Sequence, residues 1–229
     1  MKKKIVVLLS GGLDSTVLLS LLHHLGHDVQ ALSFNYGQKH KRELDYAVQT
    51  ATKLGIKHTL FAVDQIFAQF GSDSSLLNAD VAVPEGHYAD ITMRATVVPN
   101  RNMILLSLAT GYAIANKLDG VAYASHTGDH TVYKDCQPAF FEPLKAAVEN
   151  ADWHPTTLFA PFINISKSDI AAIGNSLQVN WDETYSCYNG CEPQCGVCGT
   201  CTERIEALRE ALSIDPLLVL TAINPYLPA

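Results

Sequence analysis

A glycine-containing string between an apolar run and a helical segment limits the fold of this chain more than any other feature. Residues 5–9 form a continuous β-branched and leucine run, which is typical of a strand buried on both faces. The string SGGLDST at 10–16 follows, and residues 15–25 then predict a helix that ends at Gly26. A buried strand, a tight loop and a helix in this order predict the first unit of a parallel α/β fold.

The same alternation continues along the chain. Strands and helices spaced in this way predict parallel βαβ units. Residues 71–100 have no clear period and are expected to form a functional loop or lid. The tail after Pro216 has no assignment. Further strands are predicted at 29–34, 58–63, 121–125 and 158–162, and further helices at 42–54, 103–117, 139–149 and 202–212.

The net charge of the chain disfavours one class of protein. The chain has 16 Lys and Arg against 23 Asp and Glu, a formal charge of −7. A protein that grips long nucleic acid through its phosphates needs a basic surface, so this class is disfavoured. The five-residue apolar run at 5–9 is shorter than a signal-peptide core of roughly 7–15 residues, and no run approaches the ~18 residues of a membrane span. A cytoplasmic protein that does not contact membranes or nucleic acid directly is therefore expected.

The glycine loop, residues 10–16, has the chemistry of an anion site. Ligands of open α/β sheets bind at the carboxyl ends of the strands, where this loop lies. Glycines allow close approach of the backbone, Ser15 and Thr16 offer hydroxyls, and free N–H groups at a helix start point at an anion. The lysine of a Walker loop is absent. We therefore predict a phosphate or pyrophosphate site; the alternative is an ordinary strand-to-helix turn.

The cysteines are the second informative feature, because five of the six fall at 187–201. Cys195, Cys198 and Cys201, each separated by two residues, bring three thiolates together, and either Cys187 or Cys191 can supply a fourth. A closed four-thiolate site leaves no position for substrate and favours a structural zinc. An iron–sulfur cluster and unliganded cysteines are the alternatives.

The glycine loop resembles the PP-loop of the ATP pyrophosphatase family, whose members activate a substrate as an adenylate and release pyrophosphate. The resemblance implies a Rossmann-like parallel-sheet domain that takes ATP with Mg²⁺ as substrate, with catalytic roles for Asp14 and Ser15. A carboxylate beside phosphates needs a cation between them. The expected ATP-binding residues are Leu9, Ser10, Gly11, Gly12, Leu13, Asp14, Ser15, Thr16, Val17, Leu18 and Leu19.

Further strings, taken in order, resemble the 7-cyano-7-deazaguanine synthases of queuosine biosynthesis over about residues 5–212. In that family the zinc ligands follow a C-x7-C-x2-C-x2-C pattern, which implies Cys187, Cys195, Cys198 and Cys201 and leaves Cys191 as an extra thiol. The strings are SFNYGQKH at 33–40 with Glu43, VPNRN at 98–102, DHTVYKDC at 129–136, SKSD at 166–169 and TYSCYNG at 184–190.

The resemblance also implies a reaction, in which 7-carboxy-7-deazaguanine, ammonia and ATP give the nitrile through an adenylate and an amide. It implies a catalytic role for Arg101, substrate contacts at Asp129, Tyr133 and Asp135, and a homodimer. The expected division is an ATP-binding domain at 1–180 and a small zinc-binding knuckle with a helix at 181–229. Lys39 and Lys167 are further candidates for charge stabilisation, and His126 and His130 for proton transfer.

Departures from the family pattern stand at Asn100, where glycine is usual, and at Lys134 and Gln137, where proline and arginine are usual. Two other functions remain open at this point. One is another PP-loop enzyme, such as a tRNA thiolase. The other is a non-enzymatic zinc-knuckle binding module on an α/β scaffold.

Overall fold

A parallel β-sheet organises the fold. The computed structural model describes residues 2–70, 73–86, 91–128 and 132–228. In this part of the chain five strands form one sheet in the order β3-β2-β1-β4-β5, with every neighbouring pair parallel. The predicted α/β class is confirmed. The strands are β1 Lys4–Leu8, β2 Asp28–Asn35, β3 His58–Ala62, β4 Gly120–Ala122 and β5 Thr157–Phe159.

Helices connect the strands. Three of them are absent from the sequence prediction: α3 at Asp64–Ala68, α6 at Lys167–Ser176 and α8 at Pro216–Ile223. The last two have clear start signals. Ser166 and Asp169 form a reciprocal capping box at the start of α6, and Asp215 caps α8 just before Pro216. The helices are α1 Leu13–His24, α2 Arg42–Lys53, α3 Asp64–Ala68, α4 Arg101–Ala115, α5 Pro138–Glu149, α6 Lys167–Ser176, α7 Gly199–Glu210 and α8 Pro216–Ile223.

The central strand is buried on both faces, which explains its continuous apolar run. Ile5 and Val7 pack into a core on one face of the sheet, and Val6 packs into a second core on the other face. Helices α1 and α6 cover the first core and α4 and α5 the second. The tail helix α8 adds Val219 and Ile223 to the first core.

Strand order places a crevice next to the glycine loop. The chain runs outward from β1 through β2 to β3, and then continues on the other side of β1 with β4 and β5. The connections therefore diverge at the carboxyl ends of β1 and β4, which is where open α/β sheets bind ligands.

The segment at 71–100 is packed against the body of the protein in its described parts. The backbone of Leu76 accepts a hydrogen bond from Lys39 (2.9 Å), and Ser75 donates one to the backbone of Ala95 (2.7 Å). Ser75, Leu76 and Met93 are fully buried. A role as a lid stays a prediction.

Within the described residues, no helix has both the length and the apolar character required to cross a membrane.

Candidate functional site

The glycine loop is an ordered turn at the carboxyl end of β1. The Ser10 N–H donates to Ser15 Oγ (3.2 Å), the two serine hydroxyls lie 3.0 Å apart, and the Gly12 N–H donates to Ser10 Oγ (3.3 Å). Helix α1 starts at Leu13 with no side-chain cap at Gly12. The first N–H groups of α1 therefore have no intrahelical acceptor, and an anion can bind them.

Gly11 is required by the close packing of α2 on this loop. Its φ is +86°, and a Cβ there would overlap the carbonyl oxygen of Glu43 and lie 2.8 Å from the Ala47 backbone nitrogen. On the other side, the Tyr185 N–H donates to the Gly11 carbonyl (2.9 Å). The loop is therefore fixed between the start of α2 and the segment that precedes the cysteines.

Asp14 belongs to a charged group that joins the loop to two other elements. One of its oxygens, Oδ2, lies 3.3 Å from Lys167 Nζ on α6 and 3.8 Å from His126 Nε2. Lys167 also pairs with Glu203 on α7 at 2.5 Å. The second oxygen, Asp14 Oδ1, is buried and has no hydrogen-bond partner. An unpartnered carboxylate oxygen beside an anion site fits an expected Mg²⁺.

A cavity of about 250 Å³ opens beside the loop. Residues of the glycine loop line one end. Aromatic, apolar and charged side chains from β2, α2, α4 and α6, from the segment after β4 and from the 184–200 segment line the rest. Its wall includes Ser10, Gly12, Asp14, Ser15, Phe34, Tyr36, Glu43, Arg101, Leu105, Tyr123, Tyr133, Cys136, Lys167, Tyr188 and Thr200.

Arg101 is the cationic side chain at the start of α4. Its guanidinium lies 5.9 Å from the ring centres of both Tyr36 and Tyr133. Among the described residues no carboxylate pairs with it within 4 Å, and its Nε donates to Asn102 (3.2 Å). Burial opposes its charge, while the surrounding tyrosines, Tyr36 first, raise its pKa well above the usual value. A cation in this position, at the positive end of a helix, favours an anionic ligand.

The residues predicted to contact the substrate do not all line the cavity. Tyr133 lines the cavity, and its hydroxyl lies 2.5 Å from Thr96 Oγ1. Asp135 is not among the cavity-lining residues; its carboxylate accepts a hydrogen bond from the Asn102 N–H (3.2 Å) at the start of α4. Asp129 and His130 lie outside the described residues. The substrate contacts predicted for Asp129, Tyr133 and Asp135 stay predictions.

His126 and Lys39 are placed by backbone contacts. The Gly128 N–H donates to His126 Nδ1 (3.1 Å), so the proton of the neutral ring is on Nε2, the nitrogen that faces Asp14. Lys39 donates from Nζ to the backbone of Val81 (2.7 Å), away from the cavity-lining set.

Four cysteines form a compact group, which we call the cysteine cluster: Cys187, Cys195, Cys198 and Cys201. Their sulfur atoms all lie within 4.8 Å of one another, and three of the four side chains are buried. The sulfurs of Cys195 and Cys201 are 3.9 Å apart, close to the ~3.8 Å that a tetrahedron with Zn–S bonds of about 2.3 Å requires. The cluster can hold one metal ion. Cys191 is exposed and outside the cluster.

The cysteine cluster is joined to the glycine loop through buried hydrogen bonds. Arg204, on the same helix as Cys201, donates to Thr184 Oγ1 (2.6 Å) and to the Trp181 carbonyl (2.6 Å). These contacts hold the segment that contains Tyr185, the residue bound to Gly11. The cysteine cluster therefore supports one side of the cavity.

Sequence reasoning missed part of the cavity wall. Glu43 and Tyr188 were noticed only as members of longer strings, yet both line the cavity. Helix α6, which carries Lys167, was missed altogether. The capping box before α6 was an available signal, whereas no local signal indicates that Glu43 faces the cavity.

A comparison with models of known protein families shows the family to which this chain belongs. A family model described as "Queuosine biosynthesis protein QueC" matches residues 4–212. The chain belongs to the QueC family. Curated relatives include the "7-cyano-7-deazaguanine synthase" of Methanoregula boonei, 48% identical over 214 residues that cover 93% of this chain and 98% of the relative. The protein of the same name from Alteromonas mediterranea is 45% identical over 217 residues, covering 95% and 99%.

Solved structures similar to this QueC-family chain are more distant. The U34-tRNA thiolase NcsA of Methanococcus maripaludis, with its [4Fe-4S] cluster, has a TM-score of 0.49 and 16% identity, covering 93% of this chain and 74% of that one. The NH3-dependent NAD synthetase of Campylobacter jejuni has a TM-score of 0.49 and 18% identity, covering 99% and 84%.

Proposed function

We propose that this QueC-family enzyme is an ATP-dependent carbon–nitrogen ligase that converts 7-carboxy-7-deazaguanine and ammonia to 7-cyano-7-deazaguanine. The observation that carries the proposal is a single cavity lined by both the glycine loop and Arg101. An anion site and an unpaired cation in one cavity suit a reaction between a triphosphate and a carboxylate. The names of the relatives support the product.

The chemistry follows from the poor leaving ability of a carboxylate oxygen. A carboxylate oxygen attacks the α-phosphorus of ATP and pyrophosphate leaves. Ammonia then attacks the activated carbonyl carbon, AMP departs with the carboxylate oxygen, and loss of a proton leaves the amide. The amide oxygen attacks a second ATP in the same way; loss of the remaining N–H protons and of AMP gives the nitrile. Both carboxylate oxygens end in AMP.

The residues around the cavity supply position and charge. The N–H groups at the start of α1, with Ser10 and Ser15, bind phosphate oxygens, and Asp14 holds the Mg²⁺ that accompanies the triphosphate. Lys167 neutralises negative charge beside Asp14, from which it lies 3.3 Å. Arg101 holds the substrate carboxylate against the α-phosphate. This arrangement accelerates the reaction through proximity and electrostatic stabilisation.

We propose a structural zinc at the cysteine cluster. All four sulfurs lie within 4.8 Å of one another, as binding to one ion requires, whereas the four irons of a cluster hold their thiolates at separate corners and farther apart. When bound, the zinc ties the 187–201 segment together and offers no open coordination position. A colourless, zinc-containing protein is expected, and a brown, iron-containing protein would favour the thiolase alternative.

The test uses zinc-loaded protein, the carboxylic acid labelled with heavy oxygen, ammonium, Mg²⁺ and ATP. We expect the nitrile by mass spectrometry, and AMP in which one labelled oxygen is present per molecule. Labelled phosphate in place of labelled AMP, or absence of nitrile, would refute the proposal. The domain division at residue 180, the homodimer and the cytoplasmic location stay predictions.

A further inference from the structure

Glu43 is a cavity-lining carboxylate that the proposed reaction does not use. It lies in the first turn of α2, and its side chain is 12% exposed. The cavity that it lines contains the aromatic side chains of Phe34, Tyr36, Tyr133 and Tyr188. Apart from Glu43, the carboxylate in this wall is Asp14, at the glycine loop.

The Glu43 carboxylate is held by two neutral groups. Gln38 donates from Nε2 to Oε1 (3.0 Å), and its own amide oxygen is fixed by the Tyr36 N–H (2.9 Å). His40 Nε2 lies 3.4 Å from Oε2. Burial lowers the pKa of His40 to about 3, so this ring is neutral. Its buried Nδ1 has no partner, which places the ring proton on Nε2, toward Glu43.

Glu43 lines the cavity and has unused hydrogen-bonding capacity. Each carboxylate oxygen can accept two hydrogen bonds, and among the described residues each oxygen has one neighbouring donor. No lysine or arginine in the described chain lies within ion-pair distance of it. The charged and titratable groups around it are His40, Tyr36 and, farther away, Arg101. A ligand with two adjacent N–H donors matches the two open positions.

We propose that Glu43 binds the edge of the deazaguanine ring that bears the ring N–H and the exocyclic 2-amino group, and thereby selects a 2-amino base. The inference rests on the proposed function and deepens it. A carboxylate accepts both donors at once, as a charge-assisted pair. The aromatic walls stack on the flat ring, as in other pockets that take an unpaired base. Arg101 binds the carboxylate substituent of the same ring.

Adenine does not suit this position. The corresponding edge of adenine combines one amino donor with a ring nitrogen that is an acceptor. The ring N–H and 2-amino donors of the deazaguanine stabilise the ionised form of Glu43. This ionised form is repelled by the lone pair of adenine, so the adenine of ATP is disfavoured at the site of Glu43. Glu43 therefore discriminates between deazaguanine and adenine, the two bases that this enzyme binds at the same time.

The test compares two substrates on three proteins. The substrates are 7-carboxy-7-deazaguanine and the analogue without the 2-amino group, 7-carboxy-7-deazahypoxanthine. The proteins are the wild type, Glu43→Gln, and Asp45→Asn as a matched control that removes an exposed carboxylate from the same helical turn. We expect the wild type and the control to prefer the amino substrate by about a hundredfold or more in kcat/KM.

In Glu43→Gln the KM for the amino substrate should rise about tenfold to a hundredfold, and the preference should fall below about tenfold. The KM for ATP should stay unchanged, which also reports that the variant is folded. An unchanged preference with a lower kcat would overturn the inference and indicate proton transfer instead. A rise confined to the KM for ATP would overturn it as well. Failure of the wild type to convert either substrate would refute the proposed function and this inference together.

Discussion

The cysteine cluster and the cavity wall are two sites built in opposite ways. The cluster takes all its ligands from one short segment, 187–201, whose spacing alone brings the sulfurs together. The cavity wall collects side chains from Leu8 to Thr200, almost the length of the chain. The first site depends on local turns, and the second depends on the sheet topology. Substitutions in the cluster and in the cavity wall should therefore differ in the property that they impair and in the size of the effect.

Loss of a cluster ligand should produce the largest effect. Cys198 is fully buried in the cluster, and structural zinc contributes on the order of 10 kcal/mol to small metal domains. Cys198→Ser should therefore lose the metal, while Cys191→Ser should keep one ion per chain. Metal analysis of the purified variants, with thermal unfolding, checks this. Retention of zinc by Cys198→Ser together with its loss from Cys191→Ser would reverse the ligand assignment.

A substitution in the glycine loop should have the next largest effect. This part of the cavity wall packs directly against the backbone of α2. Gly11→Ala combines a φ of +86° with overlap of the α2 backbone, so the free energy of unfolding should fall by about 3 kcal/mol or more. Gly26→Ala is the matched control, since its φ is +84° with nothing within 4 Å. It should cost about 1 kcal/mol. Equal losses in urea unfolding would show that packing at Gly11 is unimportant.

Removal of the cavity cation should affect catalysis with little effect on stability. Arg101→Met keeps much of the apolar contact with the tyrosines but loses the charge. We expect kcat/KM for the carboxylate substrate to fall about a hundredfold, consistent with the loss of a charge-assisted hydrogen bond. Arg94→Met, at an exposed arginine, is the control. If both variants were equally active, Arg101 would not be the carboxylate ligand.

The cavity wall should also show a pH dependence that the cluster does not explain. Burial raises the pKa of Glu43 to about 7, although the Gln38 hydrogen bond and Arg101 oppose the shift. The unfolded chain ionises this carboxyl near pH 4.3. The folded state thus keeps a proton that the unfolded state loses, so stability from this group is full below about pH 4.3 and falls as the pH rises to about 7.

Glu43→Gln removes this titration. Between pH 5 and pH 8 the wild type should lose roughly 2.5 kcal/mol of unfolding free energy relative to the variant. Urea unfolding of both proteins at the two pH values measures the difference. Parallel changes in the two proteins would mean that Glu43 titrates as an ordinary exposed carboxyl.

The smallest effect is expected at the surface link between α2 and the 187–201 segment. Arg42 pairs with Glu192, and both side chains are about half exposed, at 44% and 53%. Such pairs contribute little because water and salt screen them. Arg42→Ala should leave the midpoint of urea unfolding unchanged. A clear fall in that midpoint would show that the two regions depend on each other through this pair.

Prediction from sequence succeeded where the signal was local. The buried run of β1, the glycine loop and the cysteine spacing each lie within a few residues, and all three have the predicted form. Strand positions followed from the alternation of elements. Helices α6 and α8 were missed because their apolar faces are short, although capping residues marked both starts.

The cavity wall could not be predicted in the same way. Glu43 and Arg101 line the same cavity because β2 and β4 flank β1, and no single segment of the sequence indicates this strand order. The same holds for the contact of Lys167 on α6 with Asp14 and with Glu203 on α7. Neither neighbour of Lys167 can be read from spacing.

The sequence by itself determined the parallel α/β class, the glycine loop between β1 and α1 and the group of cysteines, because backbone conformation, hydrophobic period and residue spacing are short-range properties. Only the tertiary structure decided which carboxylate and which cation share a cavity with that loop. Crossover connections bring together residues far apart in the chain, and burial then sets their protonation and their need for a partner. The composition of the cavity wall therefore depends on the fold, while the cysteine cluster depends on a local motif.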